Sequence, residues 1–150
     1  MESIVGAAGL SPSVFAGPAL VTLAYIVVYY GFMIRVSRTR FRLHAEYRSR
    51  GEKFDRYFSQ DRQMLAVDRT QLNMLEHMPV FLTLMWLHAF LVSSGEAAIL
   101  GGIYTGSRSF YPLLLKGRIG RDIPARILLV TLVGYVILLI LGVRIVMSLL

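Results

Sequence analysis

From Val14 to Ile34 the chain carries no charged side chain over 21 residues. An α-helix needs about 20 apolar residues to cross the hydrocarbon of a bilayer. Three further apolar runs follow, over about 72–92, 97–115 and 127–149. Backbone N–H and C=O groups inside hydrocarbon must bond within their own segment, so such runs are expected as helices. The predicted fold class is an all-α membrane protein, a four-transmembrane-helix bundle. It reads as one domain over residues 1–150, with spans at about 14–36, 70–93, 96–116 and 125–149. Composition agrees. The chain is 55% hydrophobic with mean hydropathy +0.59, and 17% of its residues are charged where a soluble domain carries about 25%. Glu2 in place of a basic leader segment, and the length of the first apolar run, argue against a cleaved signal peptide.

The net charge is +7, but the cations lie between the spans. Residues 35–62 hold nine basic and four acidic side chains, and residues 116–126 hold four and one. Loops of this kind stay in the cytoplasm. The 35–62 and 116–126 loops are therefore expected there, with both termini on the opposite side, and no nucleic-acid partner is expected. Arg35, Arg38, Arg42 and Tyr47 predict that the first helix continues beyond the bilayer, with its arginines against lipid phosphate. Arg144, at the other end, is expected to snorkel to the interface. There is no cysteine, so thiol chemistry would need a thiol carried by a ligand. No HxxxH, HExxH or paired-carboxylate spacing is present, and no metal site is expected.

The second span opens with expensive groups. Residues 69–79 read Arg-Thr-Gln-Leu-Asn-Met-Leu-Glu-His-Met-Pro, and a charge at membrane depth costs about 2.5–3.5 kcal/mol on insertion scales. At about 100° per residue, Arg69, Asn73, Glu76 and His77 share one face and Gln71 points to the other side. Two readings fit this stripe: a polar clamp between helices or a site for a polar ligand. On the third span Tyr104, Arg108, Tyr111 and Leu115 share a face. An arginine inside a span must meet an anion or carbonyls, and Glu76 is the expected partner by depth. Pro112 is expected to kink or open that helix. Gly102 and Gly106, with GxxxG spacing, are expected at a close helix contact. His88 lies deep in its span with no second ligand in view.

The pattern Arg69-x-Gln71-x-Asn73-x-x-Glu76-x-x-Pro79, followed by an apolar helix with Trp86, a short turn with Gly95-Glu96, and Arg108-x-x-Tyr111, resembles the MAPEG family. These are small four-helix membrane proteins of eicosanoid and glutathione metabolism. The resemblance implies a homotrimer in which glutathione, as co-substrate, lies bent between adjacent subunits at the cytoplasmic side. It implies glutathione contacts at Arg69, Gln71, Asn73, Glu76, His77 and Arg108, with Arg38 or Arg42 at the end of the first helix. Tyr111 matches the first tyrosine of the third helix. Arg121 and Arg126 compete for the arginine that activates the thiol. Leu115 stands where the family has a second tyrosine, and His77 where an aromatic residue follows the glutamate.

The chemistry suits that ligand. Arginine forks bind carboxylates bidentately, Glu76 suits an ammonium, the amides of Asn73 and Gln71 suit peptide groups, and a cation beside sulfur favours the thiolate. The expected function is a glutathione-dependent transferase or peroxidase acting on hydrophobic small molecules that arrive through membrane lipid. The alternative is a non-catalytic accessory subunit that binds lipid, pigment or another membrane protein within a larger complex. Leu115 favours the alternative, and the intact pattern on the second helix favours the enzyme.

Overall fold

The computed structural model of the chain describes residues 11–58, 61–114 and 125–150, and the side chains of all of these but 125, 126, 127 and 129. Among the described residues four helices carry the fold: α1 (Ala16–Ser49), α2 (Arg62–Leu91), α3 (Ser94–Ser109) and α4 (Ala125–Leu149). A single helical turn, Tyr111–Leu114, follows α3, and no strand occurs among the described residues. The segments Pro12–Ser49, Arg62–Leu91 and Val130–Leu149 are each long and apolar enough to cross a membrane. The chain is an all-α membrane bundle.

α2 and α3 begin where a side chain can satisfy free N–H groups. The Asp61 carboxylate accepts from the N–H of Gln63 at 2.8 Å and of Met64 at 3.0 Å, so α2 starts there; replacing such a cap by alanine costs about 1 kcal/mol. Ser93 does the same for α3 through the N–H of Glu96. α1 runs 34 residues, about 51 Å at 1.5 Å per residue, well beyond its uncharged stretch, as its basic sequence predicts. It turns at Gly51, whose φ of 73° disfavours a side chain. Beyond the membrane a second small core forms from Val36, Leu43, Met64 and Val67. The Tyr47 hydroxyl donates to Asp61 at 3.0 Å and Arg42 to Gln63 at 2.6 Å, tying the end of α1 to the start of α2.

Inside the membrane segment the core is Tyr25, Met74, Phe81, Met85, Ala89, Ala97, Tyr104, Ile137 and Leu141. Phe81 stacks on Tyr104 with ring centroids 4.1 Å apart, and Tyr25 lies 5.0 Å from Phe81. The Tyr25 hydroxyl donates to the carbonyl of Met74 at 2.7 Å, in the turn ahead of Pro79. The Trp86 indole N–H donates to Thr22 Oγ1, which donates onward to the carbonyl of Pro18. These bonds hold α1 against α2 without leaving donors bare in hydrocarbon.

Pro112 opens the third apolar run, as its position predicts, and one other expectation changes. α3 ends at Ser109 after 16 residues, because Pro112 lacks an N–H and its ring would collide with the carbonyl of Arg108 in a continuous helix. The close glycine on α3 is Gly101, one position from the expected pair. A Cβ at Gly101 would lie 2.7 Å from Met85 Sδ and 3.0 Å from Val21 Cγ1, whereas Gly102 and Gly106 have no such neighbour within 4 Å. One residue along a helix is about 100° of rotation, enough to turn a glycine from the bundle to its outside.

Candidate functional site

Arg108 is the largest fully buried side chain and is 1% exposed. Its Nη1 donates to Asn73 Oδ1 at 3.0 Å. Its guanidinium carbon sits 5.0 Å from the Tyr104 ring centroid, at one end of the Tyr25–Phe81–Tyr104 stack. α4 closes over it: a Cβ on Gly134 would come within 2.7 Å of Nη2 and 3.2 Å of Cζ. Only glycine lets the guanidinium lie there without displacement. The expected Arg108–Glu76 pair is not formed, since α3 turns Arg108 toward Asn73. A neutral amide therefore holds a buried cation. Among the described residues Arg108 Nε and Nη2 have no acceptor, nor have the hydroxyls of Tyr104 and Thr105 a partner. Buried ionic donors are normally paired, so this arrangement is suited to an anion.

The rest of the α2 stripe straddles the edge of the bundle. Asn73 is buried, His77 is half-buried, and Arg69 and Glu76 are exposed. Arg69 Nη1 lies 3.8 Å from Glu76 Oε1, with side chains 53% and 55% exposed. Such a pair contributes less than about 1 kcal/mol, so both groups can exchange partners at little cost. The His77 ring meets Tyr135 edge-on at 5.5 Å and so turns toward α4. Gln71 leaves on the other side of α2 and donates to the Tyr29 hydroxyl at 3.1 Å. Tyr111 is buried against Leu114 and Val130, one turn beyond Arg108. Arg38 is exposed on α1, whereas Arg42 is occupied by Gln63 and lies 3.6 Å from Glu46. Leu115 and Arg121 lie outside the described residues, and Arg126 lies in α4 with its side chain outside them. Sequence reasoning missed Gly134 and Tyr29. A glycine inside the otherwise apolar α4 was the available signal for the first.

At the opposite end of the bundle a second polar cluster joins three helices. Glu96 Oε2 accepts from Arg144 Nη2 at 2.7 Å and lies 3.5 Å from Nε2 of the wholly buried His88. Arg144 thus has a specific partner beyond the expected interfacial contact, and His88 has an acidic neighbour. Near the same end, Leu84 and Leu87 of α2 face Leu138, Leu139, Val143 and Met147 of α4 across an apolar groove of about 500 Å³.

The family model that matches this sequence is that of the MAPEG family, over residues 18–147. No curated protein matches the chain significantly. The matched stretch takes in all four helices but the first two residues of α1 and the last two of α4.

Proposed function

Because the chain belongs to the MAPEG family, we propose that it is a membrane glutathione transferase or peroxidase for lipophilic electrophiles, working as a homotrimer. The observation that carries this reading is Arg108: a buried guanidinium held by the neutral Asn73, with two donors open. Arg108 and Arg69 take the two carboxylates of glutathione. Glu76 takes its ammonium, exchanging Arg69 for it. Asn73 and Gln71 serve peptide groups. Gln71 lies away from the Arg69 edge, and in this reading it and the exposed Arg38 of α1 serve the site of an adjacent protomer. His77 borders the ligand beside Tyr135.

In the reaction, the glutathione thiol loses its proton to water and the thiolate attacks an electrophilic carbon. A C–S bond forms and the leaving group departs with its electron pair. With a hydroperoxide, the O–O bond breaks as it takes two electrons, giving an alcohol and one water, while two glutathione thiols become a disulfide and supply the two protons. Lowering a thiol pKa from about 8.5 to about 6 requires roughly 3.4 kcal/mol. Arg121 or Arg126 supplies much of that as a cation beside sulfur, and Tyr111 adds a phenolic donor. In this reading the segments 35–62 and 116–126 face the cytoplasm, where the tripeptide enters, and the electrophile arrives laterally from the bilayer.

Calorimetry of detergent-purified protein with glutathione, together with conjugation of a chloronitrobenzene, tests this. Binding that is lost in Arg69→Ala and Glu76→Ala, with turnover in wild type, is the expected result. Replacing Arg121 and Arg126 in turn is expected to identify one that lowers turnover with little loss of affinity. Wild-type protein that neither binds glutathione nor conjugates overturns the proposal and leaves the accessory subunit as the reading. Binding without turnover removes the catalytic half alone.

A further inference from the structure

One turn below the Arg108–Asn73 bond the bundle holds a second polar layer. His77 follows Asn73 by four residues on α2, about 6 Å further into the span. Tyr104 precedes Arg108 by four residues on α3, and Tyr135 follows Gly134 on α4, where a Cβ would lie 3.4 Å from Tyr104 Cε2. His77 is half-buried and meets Tyr135 edge-on, with ring centroids 5.5 Å apart and planes at 74°. That contact fixes the plane of the imidazole through its ring and not through its nitrogens. The neighbouring polar groups are bonded elsewhere: Asn73 to Arg108, Glu76 to Arg69, Gln71 to Tyr29. Among the described residues the nitrogens of His77 bond to none.

Beyond this layer the α2–α4 seam turns apolar. Seven residues on from His77 comes Leu84, and seven on from Tyr135 comes Gly142, both in the lining of the groove. Seven residues are close to two helical turns, so each pair lies on one face. His77 therefore stands at the border between charged groups that suit glutathione and a groove that suits a hydrocarbon chain. A thiolate and a lipid-borne electrophile meet at such a border.

The two kinds of electrophile differ in what they ask of that border. Chloride leaves carbon as a stable anion and needs no proton. An alkoxide leaving a hydroperoxide is a strong base, and it departs readily only if a proton reaches it as the O–O bond breaks. Arg69 and Arg108 hold their protons, Glu76 is a carboxylate facing an ammonium, and a tyrosine hydroxyl is a weak acid. Imidazole is the side chain that gains and loses a proton near neutral pH. We propose that His77 is the general acid of a lipid-hydroperoxide reduction at this site, and that Tyr135 is its positioning residue; the inference rests on the glutathione binding proposed above. The thiolate attacks the outer oxygen of the hydroperoxide. An S–O bond forms, the O–O bond breaks, and the alkoxide leaves as the alcohol with the proton of the imidazolium. Sulfur has given two electrons and is a sulfenic acid. A second glutathione thiol attacks it, which forms the disulfide and releases water. The proton first lost from the attacking thiol returns to His77 through water.

The test uses full-length protein in detergent with glutathione, and reads the ratio of two turnover rates: reduction of cumene hydroperoxide and conjugation of a chloronitrobenzene. Wild type is expected to carry out both. His77→Phe keeps a ring against Tyr135, and His77→Gln keeps hydrogen bonding; neither can give up an acidic proton. Each is expected to lower the ratio of reduction to conjugation by about 100-fold or more. Tyr135→Leu, which leaves the imidazole unsupported, is expected to lower it by about 10-fold. A purely structural role for His77 would depress both reactions alike, so an unchanged ratio, or equal loss of the two reactions, in both His77 variants overturns the proposal. Wild type that conjugates but leaves the hydroperoxide intact also overturns it, while the transferase stands. Wild type that neither binds glutathione nor conjugates removes the proposed function itself, and the role of His77 with it.

Discussion

The two ends of this bundle treat a buried charge in opposite ways. Near Ser93 the Glu96 carboxylate meets the Arg144 guanidinium at 2.7 Å, with His88 beside it. Cation and anion cancel there, and the cluster serves to join α2, α3 and α4. At the other end Arg108 is more deeply buried than Arg144, yet its bonded partner is the uncharged Asn73. Burying an ion costs several kcal/mol unless an opposite charge repays it. In the first cluster the formal charges of Glu96 and Arg144 cancel, and what is left without a hydrogen-bond partner is the two ring nitrogens of His88; the second retains a net positive charge on a guanidinium with free donors. A membrane protein keeps such a charge where it serves a ligand, which is why the proposed function is placed at the Arg108 end.

The strongest way to break this contrast is to remove the open charge. Arg108→Met is expected to lower glutathione affinity by about 30-fold or more while changing the melting temperature little, because a buried ion replaced by an apolar group of similar length is often neutral for stability. Unchanged affinity on calorimetry would make Arg108 a structural clamp and nothing else. Asn73→Asp sharpens the contrast by converting the open cluster into a closed one. The new carboxylate pairs with Arg108, so the melting temperature rises or holds while glutathione affinity falls.

Gly134→Ala forces a Cβ to within 2.7 Å of Arg108 Nη2. The expected cost is about 1–3 kcal/mol by denaturant titration in detergent, with weakened glutathione binding. Gly142→Ala on the same helix, where nothing lies within 4 Å, is expected to stay within about 0.5 kcal/mol of wild type. The smallest effect belongs to Glu96→Gln. The Glu96 and Arg144 side chains are 31% and 50% exposed, so losing their pair costs about 1 kcal/mol or less, shrinks further in salt, and leaves glutathione binding unaltered.

Much of the helical architecture is legible locally. Val14–Ile34 declares a span by hydropathy alone, and the basic residues after it declare the extension of α1. The α2 stripe is legible too, because a helix fixes the relative directions of Arg69, Asn73 and Glu76. What escapes is the choice of partner between helices. Arg108 meets Asn73 and not Glu76 because of how α3 is rotated, and that rotation depends on Gly101 packing against Met85 and Val21. The end of α3 at Ser109 was signalled by Pro112, but hydropathy continues through it. Glu96 and Arg144 are 48 residues apart, and Arg144 alone reads as an ordinary interfacial cation. Gly134 carries no chemistry of its own; its role exists only because Arg108 lies opposite.

Arg69 and Gln71 are two residues apart but leave α2 in different directions, Gln71 toward Tyr29 of α1 and Arg69 toward Glu76. If each site draws Arg69 from one protomer and Gln71 from its neighbour, the two defects can be sorted onto separate chains. Co-expressing Arg69→Ala with Gln71→Ala would then regenerate some wild-type sites at the junctions of mixed assemblies, although neither variant works alone. Genetic complementation of that kind, absent from the mixture of two separately purified proteins, would report the shared architecture from activity alone.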